Sequence, residues 1–464
     1  MRQLLHFVRT RTAVLACAAV LAGAGAAAAP QLNVPVEYYR LPNGLRVVLS
    51  QDGSVPTTTV AVYYHIGFRT EPRNRTGFAH LFEHLMFQET KNLAKGEADK
   101  LVNGNGGVSN GSTRFDYTNY YQVVPSNVTE AVLWVEAERM RGLALSAASL
   151  QNQKDVVKNE VRVNVLNRPY GGFPWLDLPQ KANSNWYNAH NFYGEFADID
   201  AATLEDVRSF YDTYYVPANA VLVVAGDFDR AKTRAAIERF FGPLPTRPEP
   251  KRPDIAEPAQ HEERLATMTD PLAPRPALAF GYHVPDRNTP DWYAFGLIDQ
   301  ILLQGEDSRL WQRLVKERGY ADSVDGGINS PIGTMFDYEG PTLWVGSLIH
   351  DAGTSDASIV ADLDDVIGRL QATPVGAAEL ERATTKIRSE LYDVAGSPTR
   401  FGLAELLACF ALFDDDPARI NDLEGRFRQV TPAQLQDVAR RYLVASNRTR
   451  LALVAGRAPS GARP

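Results

Sequence analysis

The sequence has 464 residues, of which 44% are hydrophobic and 22% are charged. These values are ordinary for a soluble globular protein, and the length is enough for two to four domains. The formal net charge is −7, and the sequence contains no long basic run. The charge pattern therefore argues against nucleic acid as a partner, because such binding is normally marked by clustered lysine and arginine.

Residues 1–29 have the pattern of a secretory signal peptide. Three arginines and then the apolar stretch 13–21 come before a run of small residues that ends at Pro30. The alternative is a retained membrane anchor, but this stretch is shorter than the roughly 20 apolar residues that a spanning helix needs. We therefore expect an exported protein, periplasmic or secreted, with no membrane span after signal cleavage.

The cysteine content limits the covalent chemistry of the exported form. Cys17 lies within the predicted signal peptide, which leaves Cys409 as the remaining cysteine. An intrachain disulfide is then impossible. A lipid-acceptor role for Cys17 is the alternative, and the short apolar run before it disfavours that role.

The exported chain begins with a pattern typical of β-strands. Residues 38–39, 46–50 and 57–66 are apolar or alternating, and the Asn-Gly pair at 43–44 predicts a hairpin turn. We interpret this region as a strand meander that leads into a helix at 77–90.

The helix at 77–90 carries a metal-binding pattern, and its apolar residues recur at spacings of three and four. His80 and His84 are four residues apart, so their side chains lie one above the other and can bind one metal ion. Zinc is the usual metal for paired imidazoles, and a catalytic zinc takes three protein ligands and a water. Glu83 is close enough to take a proton from that water. The alternative is two structural histidines on an amphipathic helix.

Two later segments matter for the site. A Gly-rich turn at 103–107 opens a predicted strand at 108–113, and the pattern at 150–165 predicts an amphipathic helix that contains Glu160. Glu160 lies 76 residues after His84. Considered alone, Glu160 is interpreted as a solvated helix carboxylate.

An irregular region rich in Pro, Gly, Trp, Tyr and Asn extends over residues 168–200. Long regions of this kind usually carry function or pack on a neighbour. His190 in this region, and His65 before the metal helix, are further candidate ligands. Neither has a second ligand at helical spacing, so both are interpreted as hydrogen-bonded structural histidines.

The H-x-x-E-H arrangement, a Glu at the distance of Glu160 and the run at 105–125 together resemble the M16 (pitrilysin-type, inverzincin) family of zinc metallopeptidases. The resemblance extends over nearly all the chain after residue 35. It implies one zinc ion per chain, held by His80, His84 and Glu160.

The same resemblance assigns roles to further residues. It implies that Glu83 is the general base, and that Asn110 and Gly111 lie on an edge strand that holds peptide substrates. The small side chain of Ser109 also leaves the backbone of this strand approachable, so Ser109 is a third candidate for substrate binding. The alternative is a plain edge strand with turn-forming residues. Many family members have a second Glu seven residues before the ligand Glu, where this sequence has Gln153. The loss of that carboxylate is expected to affect the reaction rate more than zinc binding.

A proline-rich, charged segment divides the chain. Residues 246–273 are predicted to link an N-terminal zinc-binding domain at 30–245 to a C-terminal domain at 274–464. The two halves repeat, because 211–226 recurs 230 residues later as 441–456. We therefore predict two homologous α+β domains, each with a mainly antiparallel sheet packed by helices.

The metal-binding helix also has a counterpart in the second half. At an offset of 217 residues its buried positions stay apolar, whereas the three motif residues are replaced by Leu297, Gln300 and Ile301. The second domain is therefore predicted to lack a metal site.

Residues 307–324 are predicted to form a helix that is closed by Gly319 and leads into a strand. Arg313 and Tyr320, seven residues apart, resemble a pair that completes the zinc site of M16 enzymes from the half without zinc. An Arg cation and a Tyr hydroxyl suit the negative charge that develops on a carbonyl oxygen. From spacing alone they would be interpreted as a surface Arg and a packed Tyr.

One chain of this length resembles only half of the larger M16 chambers. Arg313 and Tyr320 are therefore expected to complete the zinc site of another subunit. Because the chain carries both the zinc motif and this pair, we favour a homodimer over a heterodimer with a related subunit.

These patterns favour a zinc-dependent endopeptidase that hydrolyses peptide bonds in extended peptides. The alternative is a non-catalytic or partner-dependent subunit of an M16-like heterodimer. Retention of both histidines and both glutamates of the site argues against that alternative.

Overall fold

The computed structural model describes residues 32–456, so the predicted signal peptide at 1–29 and Cys17 lie outside the described residues. Within the described range the strands form two sheets, one of six strands and one of five. Helices pack on both, which agrees with the predicted α+β class.

The first sheet is built from β1 Glu37–Arg40, β2 Arg46–Gln51, β3 Thr57–Tyr64, β4 Val108–Thr113, β5 Thr118–Pro125 and β6 Ala220–Gly226. Its order is β1-β2-β6-β3-β5-β4, and β6 runs parallel to β2 and antiparallel to β3. The predicted meander is therefore wrong at its centre, because β6 separates β2 from β3. Every residue of β6 is buried, and a strand that is apolar on both faces gains most from a central position.

From residue 32 onward, the first half contains nine α-helices: α1 Phe78–Leu85, α2 Glu97–Gly104, α3 Thr129–Arg141, α4 Ala147–Val161, α5 Asp177–Ala182, α6 Trp186–Ala189, α7 Phe196–Ala201, α8 Leu204–Tyr214 and α9 Arg230–Phe241. The irregular region at 168–200 thus contains three short helices. A π-helical turn at Arg162–Leu166 follows α4, and 3-10 turns lie at Phe68–Thr70, Ser126–Val128 and Pro217–Asn219.

The second sheet contains β7 Arg264–Asp270, β8 Ala277–His283, β9 Asp325–Ile328, β10 Leu343–Ile349 and β11 Arg448–Ala455, in the order β7-β11-β8-β10-β9. Its helices are α10 Pro290–Leu302, α11 Asp356–Ala372, α12 Ala377–Gly396, α13 Phe401–Phe413, α14 Leu423–Arg428 and α15 Pro432–Tyr442. A π-helical turn lies at Trp311–Glu317, and 3-10 turns lie at Pro417–Asn421 and Ala445–Asn447.

The structure repeats where the sequence repeats. In each half a helix, a 3-10 turn and a strand follow one another, and the strand (β6 or β11) has one parallel and one antiparallel neighbour. The Asn219 Nδ2 amide donates to the Tyr214 carbonyl at 2.9 Å, and Asn447 donates to Tyr442 at 2.8 Å. The same side chain therefore closes the same helix-to-strand connection twice.

Part of the predicted linker is a strand. Residues 264–270, assigned to the linker at 246–273, form β7 and pair in parallel with β11. The prolines and charges upstream obscured the short alternating pattern of this strand, in which every second residue is exposed.

The two halves share helices. α13, from the second half, packs on β2, β3 and β6, whereas α5, from the first half, packs on β7, β8 and β11. A buried ion pair between Arg69 and Asp116 lies at this junction, and Arg69 also donates to the Pro341 carbonyl at 2.7 Å. Cys409 is a free thiol buried in α13. Each sheet is thus covered in part by a helix from the other half of the chain.

Candidate metal centre

Helix α1 is fixed in place by its apolar face. Phe78, Leu81, Phe82 and Leu85 are all fully buried, and the ring of Phe82 stacks on Phe210 with 4.9 Å between centroids. Full burial of such side chains contributes about 1.5–3 kcal/mol each. The face predicted from the spacing of apolar residues is therefore the face that anchors the helix.

The start of α1 requires glycine. Gly77 precedes the first helical residue with φ 82°, and a Cβ there would approach the Tyr193 carbonyl oxygen to 2.7 Å. Glycine adopts this left-handed conformation at no steric cost, whereas any larger residue would be strained and would clash. This close approach brings the loop that carries Tyr193 against the metal helix.

Glu71 holds the amino end of α1. Its buried carboxylate accepts hydrogen bonds from the backbone amides of Gly77, at 2.8 Å, and Ala79, at 2.5 Å. These amides have no partner within the helix, and a negative charge at a helix N-terminus is favourable. Burial raises the pKa of Glu71, whereas His190, 3.7 Å away, opposes the rise. Sequence analysis missed Glu71, for which the available signal was an acid six residues before Gly77.

The two other candidate histidines have structural partners. The ring of His190 stacks on Trp186 at 4.3 Å and its Nδ1 lies 3.1 Å from the Trp186 carbonyl oxygen. His65 Nε2 lies 2.8 Å from a carboxylate oxygen of Glu339. Both side chains are buried, in agreement with their interpretation as structural histidines.

The three predicted zinc ligands converge in the structure. His80 Nε2 lies 3.4 Å from His84 Nε2 and 3.5 Å from Glu160 Oε1, and His84 Nε2 lies 3.1 Å from Glu160 Oε2. Two hydrogen bonds hold the pKa of Glu160 well below its ordinary value. The one from His80 has the larger effect, and the one from His84 is second. Among residues 32–456, this is the one group of at least three His, Cys, Asp or Glu side chains whose potential metal-ligand atoms all lie within 4.8 Å of one another.

This donor set fits zinc. A tetrahedral ion with ligand distances of about 2.0–2.2 Å separates its ligand atoms by roughly 3.3–3.6 Å. The separations of 3.1–3.5 Å between the two Nε2 atoms and the nearest carboxylate oxygens match that spacing closely. Two imidazoles and one carboxylate also form a common ligand set of catalytic zinc.

Helix α4 delivers Glu160. It begins after Ser146, whose side chain forms a capping box with Ser149, and it ends at Val161. The predicted helix at 150–165 was therefore placed late at its start, and its last residues belong to the π-helical turn. Within α4, Val157 and Val161 are buried, whereas Val156 is 41% exposed. The π-helical turn directly follows the helix that carries Glu160, and single π-helical turns are frequent at functional sites.

Glu83 is on α1, directly before the predicted ligand His84. Its carboxylate oxygen Oε2 accepts a hydrogen bond of 2.7 Å from Thr113 Oγ1, at the end of β4. The Tyr193 ring packs edge-on against His80 with 4.9 Å between centroids. Burial, followed by the charges of Glu160 and Glu83, raises the pKa of Tyr193 to about 12. Sequence analysis did not single out Thr113 or Tyr193, although both lie in segments that it marked.

Strand β4 is the edge of the first sheet nearest to this group. It pairs with β5 and with no other strand of the described chain. Asn110 is exposed, Ser109 is half-buried and Gly111 is buried. The Gly111 amide donates to the Asn110 side chain at 2.9 Å. The three predicted substrate-binding residues are therefore consecutive on an edge strand.

The structure places Arg313 and Tyr320 together but apart from the ligands. Both bind the buried carboxylate of Asp362: Arg313 Nε donates at 2.8 Å and the Tyr320 hydroxyl at 2.9 Å. Within residues 32–456, no hydrogen bond or ion pair joins either side chain to the metal ligands. Gly319, between them, has φ 61°, as a helix end requires. Their role across a subunit boundary stays a prediction.

Comparison with known proteins defines the class. Residues 46–169 match the family profile "Insulinase (Peptidase family M16)", and residues 201–387 match "Peptidase M16 inactive domain". The chain is 32% identical over 295 residues to the zinc protease PqqE of Helicobacter pylori, an alignment that covers 62% of this chain and 65% of that protein. The match thus spans just under two thirds of that relative. An uncharacterized zinc protease of Streptomyces coelicolor is 24% identical over 425 residues, 87% of this chain and 86% of the relative.

Solved structures agree on the fold. A protease from Helicobacter pylori superimposes with a TM-score of 0.83 at 26% identity, over 91% of this chain and 100% of that one. The periplasmic protease PqqL from Escherichia coli gives a TM-score of 0.72 at 18% identity, over 92% of this chain and 48% of that one. The chain belongs to the M16 family of peptidases, which confirms the resemblance and the α+β fold. No helix within residues 32–456 is long and apolar enough to span a membrane.

Proposed function

We propose that the protein is a zinc-dependent endopeptidase that cleaves extended peptides. The observation that carries the proposal is the convergence of His80, His84 and Glu160, with Glu83 directly before His84 on α1. When bound, zinc supplies Lewis-acid chemistry, because it polarises a carbonyl and makes water more acidic.

The side chains divide the remaining work. His80, His84 and Glu160 hold the ion, and the apolar face of α1 fixes both histidines. Glu83 takes a proton from the attacking water and returns it to the leaving amine, a role that suits a partly exposed carboxylate. Arg313 and Tyr320 are proposed to stabilise the carbonyl oxygen in a second subunit.

The second candidate function is that of a non-catalytic subunit. The observation that favours it is the match of residues 201–387 to the "inactive domain" profile. That match begins after all four residues of the site, His80, Glu83, His84 and Glu160. The proposed zinc ligands and the proposed base therefore lie outside it, within the match to the Insulinase profile at 46–169, which favours the peptidase.

Metal content separates the two functions. We expect about one zinc ion per chain in the purified protein, measured by elemental analysis, because the donor set is complete. Chelation should abolish cleavage of an unstructured peptide, and added zinc should restore it. His80→Ala is the matched control and should bind little zinc. Absence of zinc from the wild-type protein at saturating supply would reject the proposal.

Substrates are proposed to bind as a strand added to β4. No other strand of the described chain pairs with its outer edge, and its small side chains leave the backbone accessible. Such binding recognises backbone more than side chains, so extended peptides should be cleaved and folded proteins spared. Export to the periplasm or beyond, proposed from residues 1–29, would expose the enzyme to peptides outside the cytoplasm.

Gly111 provides a test of strand addition. Gly111→Pro should raise KM, because it removes an amide donor, which in this structure donates to the Asn110 side chain. Gly111→Ala is the matched control: its Cβ meets the same neighbours, at 3.0–3.3 Å, but the amide is kept. Steady-state kinetics on an unstructured peptide should give a larger KM increase for Pro than for Ala. Equal values would count against strand addition.

A further inference from the structure

The hydroxyl of Thr113 is the one side-chain group of residues 32–456 that forms a hydrogen bond with Glu83. The distance from Thr113 Oγ1 to Glu83 Oε2 is 2.7 Å, and Thr113 is only 5% exposed. A hydrogen bond to a carboxylate is stronger than one between neutral groups. Glu83 therefore has one oxygen held by the protein, while its Oε1 accepts no hydrogen bond from the described residues.

The position of Thr113 makes this contact rigid. Thr113 is the last residue of β4 and lies opposite Thr118 of β5. The backbone of a paired strand is fixed by its ladder, and the β-branched side chain has few rotamers. The hydroxyl is thus presented from an ordered element and does not depend on a mobile loop.

We propose that Thr113 is a positioning residue for Glu83, an inference that rests on the proposed function. By donating to Oε2, Thr113 fixes the plane of the carboxylate and directs Oε1 toward the water that is to be deprotonated. The same hydroxyl joins the base to β4, the strand proposed to hold the substrate. The order of that strand and the orientation of the base are therefore linked through one side chain.

The kinetic test removes the hydroxyl and keeps the shape. Thr113→Val should lower kcat about 10- to 100-fold with unchanged zinc content and KM, because binding does not use this hydroxyl. Thr113→Ser keeps the donor and should restore most of the rate. If Val does not fold, Thr113→Ala replaces it, since a smaller side chain cannot overfill the site.

Thr118→Val is the matched control. Thr118 lies opposite on the same strand pair, and its buried hydroxyl donates to the Ile66 carbonyl at 2.8 Å, with no contact to Glu83. The control also loses one buried hydrogen bond of a threonine hydroxyl, and it should keep kcat within about twofold. A similar loss of kcat in both valine variants would overturn the proposal, because the effect would then come from general destabilisation.

A second readout needs neither zinc nor activity. In the metal-free protein, Thr113→Val should lower Tm by about 1–3 °C, and the decrease should largely vanish in a Glu83→Ala background. Equal decreases in both backgrounds would show that the two side chains are not coupled and would overturn the proposal.

An inactive wild-type protein with intact coupling would instead reject the peptidase function and leave the contact established. Wild-type kcat for Thr113→Val in an active enzyme would reject only the positioning role.

Discussion

Glu83→Gln is expected to keep stoichiometric zinc and to lose about 10²- to 10⁴-fold in kcat. Gln has nearly the same shape and can accept a hydrogen bond from Thr113 and from water, but it cannot take a proton. The zinc ligands His80, His84 and Glu160 are unchanged, so metal binding should persist. Loss of rate without loss of metal distinguishes a base from a ligand.

Two variants calibrate this result. His80→Ala should lose both zinc and activity, because a ligand is removed. Glu89→Gln, six residues after Glu83, alters a half-buried carboxylate that has no side-chain hydrogen bond within residues 32–456, and it should retain both. Zinc is measured by elemental analysis and kcat on an unstructured peptide. Cleavage by Glu83→Gln at the wild-type rate would show that another group is the base.

Mixing two inactive variants should restore activity. Glu83→Gln subunits lack the base, and Arg313→Ala, Tyr320→Phe subunits lack the proposed donors, so each parent dimer should be nearly inactive. Removal of one such donor alone typically costs about 10²- to 10³-fold. In a mixed dimer, the zinc site of the second variant is completed by Arg313 and Tyr320 of the first. One of two sites is then intact, and activity should recover to at most about half of wild type.

The structure suggests the controls for this experiment. Arg309, four residues before Arg313, is paired with Glu379 at 2.7–2.8 Å, and Arg309→Ala should leave activity nearly unchanged. Mixing two batches of Glu83→Gln should restore nothing. Subunit exchange is followed with differently tagged chains. Exchange without recovery would reject completion of the site by a partner, and an active, strictly monomeric protein would reject the dimer.

Local pattern was sufficient for the core of the site. The pair His80 and His84 is defined by the helical repeat, and the burial of Phe78, Leu81 and Phe82 follows from the same periodicity. Strand β4 was predicted with its observed bounds, because its turn and its small residues are contiguous in the sequence. The internal repeat is also visible from sequence alone, since core positions kept their apolar character while the motif positions lost theirs.

Contacts between distant segments were decided by the tertiary structure. From spacing alone, Glu160 was interpreted as an ordinary helix carboxylate, and the resemblance to a family was needed to predict it as a ligand. In the structure α4 packs beside α1 and brings the Glu160 carboxylate close to His84. The hydrogen-bond partner of Glu83, Thr113, is likewise distant in sequence, 30 residues further along the chain. Periodicity fixes which residues share a face of one element, because neighbours on a helix or strand follow from its repeat. It does not fix which elements meet, because that depends on how β6 enters the sheet and how the two halves bury their apolar faces together.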